Sequence, residues 1–159
     1  METILKLLEQ NAKLTPEQIA VMLGRQPDEV AETIKNLEEN HVIMGYHALI
    51  DWDKTDRTDV AALIEIKVAP QKELGFDYVA EQIYTMDEVQ SVSLMSGGFD
   101  LAVTIEGKTL REVALFVAER LSVIDCVVST ATHFFLKRYK EKGVILADSP
   151  EDQRGWAEI

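Results

Sequence analysis

Between Val60 and Leu136 the spacing of apolar residues switches repeatedly between two and three-to-four, and this succession restricts the fold more than any single motif. Val60 to Val68 alternates in its second half through Leu63, Ile64, Ile66 and Val68 and stops at Ala69-Pro70, as a buried strand does. Phe76, Val79, Ala80 and Ile83 follow at helical spacing, then Val89, Val92 and Leu94 as a second strand. Ser96-Gly97-Gly98 is a turn, and Leu101-Ala102-Val103-Thr104-Ile105 closes a hairpin. From Thr109 to Ile124 the residues Leu110, Val113, Ala114, Val117 and Leu121 mark a second helix, and Val127 to Leu136 returns to strand composition. The order β-α-β-β-α-β is the split βαβ, or ferredoxin-like, α/β sandwich, with two helices on one face of a four-stranded antiparallel sheet. The other face lacks a layer, so residues such as Ile64, Ile66 and Phe135 are expected to stand exposed there and to mark self-association.

The first 50 residues read differently. Ile4, Leu5, Leu8 and Ala12 give an amphipathic first helix over residues 2–12. Thr15-Pro16-Glu17-Gln18 opens a second: Thr15 caps, Pro16 suits the first turn, and Gln18 completes a capping box. That helix carries Ile19, Ala20, Met22 and Leu23 and stops at Gly24, while Pro27 starts a third with Val30, Ile34 and Leu37 inward, ending near Asn40-His41. Three short helices, the last two joined by a tight glycine turn, fit a helix-turn-helix, and Val42 to Leu49 is expected to follow as a wing strand. The same pattern also fits a plain three-helix bundle, because a fold does not fix a function.

The whole chain is therefore expected to be α+β, a winged helix-turn-helix over 1–50 and a ferredoxin-like domain over 60–140. Residues 51–59 are polar and aperiodic and read as a linker or hinge, and 141–159 as an acidic extension in which Val144-Ile145-Leu146 adds an edge strand or lies against a neighbour.

Charge and cysteine content narrow the function classes. The net charge of -12 opposes binding to polyanions, whose affinity comes from Lys and Arg displacing counterions. A single cysteine, Cys126, excludes an intrachain disulfide and a thiolate-rich metal cage, so a reducing, cytoplasmic setting is expected. No segment reaches the roughly 20 apolar residues that span a bilayer, and no membrane association is expected. There is no phosphate-binding glycine-lysine loop, paired-histidine zinc helix or nucleophile elbow, so the chain is read as neither an enzyme nor a carrier of a cofactor or metal. His41, His47 and His133 lack ligand spacing and are read as turn, wing and strand residues. Cys126 follows Asp125, and an acidic neighbour disfavours a reactive thiolate, so it is read as a packed small residue.

Ser96-Gly97-Gly98-Phe99-Asp100 admits two readings. Consecutive glycines leave N–H groups accessible to a carboxylate while Asp100 pairs with an ammonium group, which together suit an amino acid; otherwise this is a tight hairpin with Asp100 stabilising the turn.

The helix-turn-helix spacing, Leu37-Glu38-Glu39 with Val42-Ile43 and Gly45-Tyr46-His47-Ala48, and then Gly97-Gly98-Phe99-Asp100, occur in an order that resembles the leucine-responsive, feast/famine or Lrp/AsnC regulator family. Its ligand-binding domain carries a similar glycine-x-tyrosine-aspartate turn, and the resemblance extends to about Tyr139. It implies a transcription regulator that binds double-stranded DNA through paired N-terminal domains. It also implies dimers assembling further, to octamers, with amino acid effectors bound where dimers meet. Ser96, Gly97, Gly98, Phe99 and Asp100 are then the expected effector residues. The third helix departs from the family's arginine-rich pattern, since Ala31-Glu32-Thr33-Ile34-Lys35-Asn36 holds one base, and His41 replaces the usual glycine before the wing. Base reading would fall to Gln26, Thr33 and Asn36, with Arg25, Lys35 and His47 near phosphates and a modest, salt-sensitive affinity. The alternative is a member that no longer binds DNA and works as a ligand sensor or protein-interaction module.

Overall fold

The computed structural model describes residues 1–69 and 75–146. It divides into two compact units, Met1–Ile50 and Asp51–Ile159, each with its own core.

In the first unit, α1 (Glu2–Gln10), α2 (Pro16–Leu23) and α3 (Pro27–Glu39) bury Ile4, Leu8, Ile19, Ala20 and Val30 against one another. Helix α1 stops short of the expected Ala12, which is exposed, because the Asn11 carboxamide oxygen accepts the Lys13 N–H and turns the chain. The capping box forms: the Gln18 N–H donates to Thr15 Oγ1 and the Thr15 N–H to Gln18 Oε1. Gly24 sits at φ 65 and ends α2 with a left-handed turn. The wing strand over Val42–Leu49 does not form. Residues 44–50 have no ladder partner among the described residues, and strand-like residues alone cannot satisfy strand hydrogen bonds.

The second unit holds β1 (Val60–Val68), α4 (Gly75–Tyr84), β2 (Val89–Leu94), β3 (Leu101–Gly107), α5 (Leu110–Phe116) and β4 (Val127–Phe134). The antiparallel sheet runs in the order β2-β3-β1-β4, the ferredoxin-like arrangement. Helix α5 is shorter than expected and passes into a π turn over Val117–Leu121, where the Ser122 N–H donates to the Val117 carbonyl. Val144-Ile145 joins no edge of this sheet. As β6 (Val144–Ile145) it pairs with β5 (Lys140–Glu141) around Lys142 (φ 43) and Gly143 (φ 85), two left-handed residues that suit a two-residue hairpin turn.

The covered face corrects one expectation. Ala62, Ile64, Ile66 and Val68 point toward the helices with Leu101, Val103 and Ile105, and Ile64 and Ile66 are fully buried. The open face carries Leu63, Glu65, Ala102, Thr104, His133 and Phe135. Of the three residues expected there, only Phe135 is present, and the face is a mixture of small, polar and apolar groups rather than an aliphatic patch.

Candidate functional site

Two separate regions hold the residues singled out by the sequence. In the first unit, Gly24-Arg25-Gln26 forms the turn into α3, and Gln26 precedes that helix without donating or accepting a side-chain capping bond. Helical spacing of three and four places Gln26, Glu29, Thr33 and Asn36 along one stripe, which flanks the buried Val30 and Leu37. The Thr33 hydroxyl donates to the Glu29 carbonyl at 2.8 Å, which commits its proton to the helix and leaves the oxygen as an acceptor. The two cations singled out here face acids one turn away: Arg25 Nη1 lies 3.9 Å from Glu29 Oε1, and Lys35 Nζ 3.7 Å from Glu39 Oε1. These are exposed pairs, each worth a few tenths of a kcal/mol, so a phosphate can compete for either cation. Within α3, Asp28, Glu29, Glu32, Glu38 and Glu39 face one base, Lys35.

The chain after α3 is tied back to it. The Tyr46 hydroxyl donates to Glu38 Oε1 at 2.8 Å, and burial together with that carboxylate raises the phenol above its ordinary value. His47 is exposed and its Nε2 lies 3.3 Å from where a Gly45 Cβ would be, so the imidazole rests in the space that Gly45 leaves open.

In the second unit, Ser96 to Asp100 joins β2 to β3. Ser96, Gly97 and Gly98 are exposed, Phe99 and Asp100 half-buried. Gly97 adopts φ 149, where a side chain is strained, and a Cβ on either glycine would meet nothing within 4 Å, so the loop surface is open to a ligand. Asp100 is built into the frame: its Oδ2 accepts the Val68 N–H at 2.8 Å, its N–H donates to the Ile66 carbonyl and its carbonyl accepts the Met95 N–H. This carboxylate thus anchors the end of β1 as well as the turn itself. Its Oδ1 accepts no hydrogen bond among the described residues. Cys126, half-buried at φ 76, lends its carbonyl to the Ala69 N–H at the same end of β1.

A surface cavity of about 380 Å³ opens between α4 and β2, over Phe76, Ala80, Val92 and Leu101, and takes in none of residues 96–100. No three metal-ligating side chains converge among the described residues, and no described helix is long and apolar enough to cross a membrane.

Known proteins resemble the chain over most of its length. Residues 61–145, more than half of the chain, match the Lrp/AsnC ligand-binding domain. The Bacillus subtilis HTH-type transcriptional regulator YugG is 47% identical over 152 residues, 95% of this chain and 92% of that protein. The leucine-responsive regulatory protein of Haemophilus influenzae is 26% identical, covering 90% of this chain and 86% of its own length. Among solved structures, E. coli AsnC shares the fold with a TM-score of 0.67 at 18% identity, covering 87% of this chain and 91% of its own. A transcriptional regulator from Neisseria meningitidis, solved as an L-methionine complex, does so with a TM-score of 0.70 at 22% identity, covering 87% and 88%. The chain thus belongs to the Lrp/AsnC family of helix-turn-helix transcriptional regulators, which are not enzymes.

Proposed function

We propose that this regulator reads double-stranded DNA with α3 and adjusts that reading to an amino acid held at the loop from Ser96 to Asp100. The observation that carries the reading is the match of residues 61–145 to a ligand-binding domain behind a helix-turn-helix whose α3 presents Gln26, Thr33 and Asn36 on one stripe. Amide and hydroxyl groups read base edges, while Arg25, Lys35 and His47 lie near phosphates. At the loop, the Gly97 and Gly98 N–H groups receive the carboxylate, Phe99 flanks the side chain and Asp100 Oδ1 takes the ammonium group. The methionine complex of the Neisseria regulator supports an amino acid as the ligand class.

A second copy covers the open face of the sheet, giving a dimer that assembles further to an octamer in the cytoplasm. The exposed extended segment 44–50, with Met44, Leu49 and Ile50 uncovered, supports the same self-association. The acidic surface of α3 favours a second reading, a ligand sensor that has given up DNA. A gel-shift titration at low salt separates the two: Lys35→Glu should weaken binding roughly tenfold, and Glu29→Gln, which frees Arg25, should strengthen it. Equal affinities in all three proteins would remove α3 from the interface.

A further inference from the structure

Residues 51–59 lack an apolar face, yet they are fastened at several points. Trp52–Lys54 forms one 3-10 turn, closed by the Thr55 N–H and hydroxyl, both donating to the Trp52 carbonyl. The Arg57 N–H then donates to Thr55 Oγ1. The Arg57 guanidinium meets three different partners: its Nε donates to Asp59 Oδ2 at 2.5 Å, its Nη2 to Glu106 Oε2 at 2.9 Å, and its carbon stands 4.4 Å from the centre of the Trp52 ring. Only a planar, forked cation serves a ring and two carboxylates at once; an ammonium group stacks poorly and grips one point. Glu106 lies one residue before the end of β3, and β3 begins at Leu101, directly after the loop ending in Asp100. One strand, about 17 Å from Leu101 to Glu106 at the usual rise, therefore joins the loop to the Arg57 grip.

We propose that Arg57 is a positioning residue that clamps segment 51–59 to β3 and makes the chain leave the sheet domain from a fixed point at Trp52. Resting on the effector reading of the loop, a ligand there shifts β3 and, through Glu106 and Arg57, the segment that leads to the DNA-reading unit. A free tether would average such a shift away; a clamped one transmits it.

Hydrogen exchange on the full-length chain, without DNA or ligand, tests the clamp by itself. The Lys54 and Thr55 amides, bonded to Asp51 and Trp52 carbonyls, should exchange about tenfold faster in both Arg57→Ala and Arg57→Lys while β1 and β3 keep their protection. Unchanged exchange at 51–59, or a loss spread through β1 and β3, would overturn a positioning role. DNA titrations with and without the amino acid that binds test transmission: Arg57→Ala should keep the affinity of the ligand-free protein and lose the shift that the ligand causes. A full shift in Arg57→Ala would overturn the coupling. If no amino acid binds the parent protein, the effector reading fails while the exchange result still decides the clamp.

Discussion

His41 follows the end of α3 at φ 55, a left-handed conformation that costs a side-chain-bearing residue about 1 kcal/mol. The conformation is enforced by the helix end: the His41 N–H donates to the Glu38 carbonyl and the Val42 N–H to the Leu37 carbonyl, the paired bonds of a Schellman turn. His41→Gly should therefore stabilise the first unit by roughly 0.5–1 kcal/mol, less than the full relief because glycine also loosens the unfolded chain. A urea melt followed by circular dichroism gives the answer, and a lower midpoint would mean that the imidazole makes a contact outweighing the strain. Asp100 combines two roles that substitution can separate. Asp100→Ala leaves the Val68 N–H without its acceptor and should cost about 1–3 kcal/mol of stability, whereas Asp100→Asn keeps an oxygen there and removes only the charge. Calorimetry across the common amino acids should then show Asn at position 100 abolishing most of the zwitterion affinity at a nearly unchanged melting temperature. Retained affinity in Asp100→Asn would reduce the loop to a hairpin.

At the scale of elements, the changes of period along the chain were enough to order all four strands of the sheet and the helices between them, because each stretch buries one face. The start of α2 was equally legible, since Thr15, Pro16 and Gln18 act locally. Three features were not. Alternation in β1 shows that two faces differ without saying which is covered, and Leu63 beside Ile64 made the choice ambiguous; packing against α4 and α5 decided it for Ile64 and Ile66. The wing segment has strand-like residues but no partner strand among the described residues, and a ladder needs two. Asp100 reaches Val68 across 32 positions and Arg57 reaches Glu106 across 49, and bonds of that span leave no local signature. Gln26, Thr33 and Asn36 share a stripe by helical spacing alone, so their relative placement is legible from the sequence once the helix is.

The molecule as a whole is an acidic protein assigned to an acidic ligand. Its first 50 residues hold four basic and eight acidic side chains, so long-range attraction to DNA is absent and contact must come from a few local cations and from repetition. The proposed self-association would supply the repetition: two reading helices on one particle turn the second contact into an intramolecular event, raising avidity without new residues. Light scattering at micromolar concentration should accordingly give a dimer or a multiple of it, and a mass of 17.9 kDa would remove this route to affinity. An effector bound equally in two arrangements of such a particle would be silent, so regulation requires that the amino acid favour one of them. The most direct measurement is selection of genomic DNA fragments by the full-length protein at low salt. The account predicts that the recovered fragments share a partly palindromic sequence and are released as salt rises toward about 0.2 M. Recovery no greater than from a protein-free control, at any salt, would contradict it.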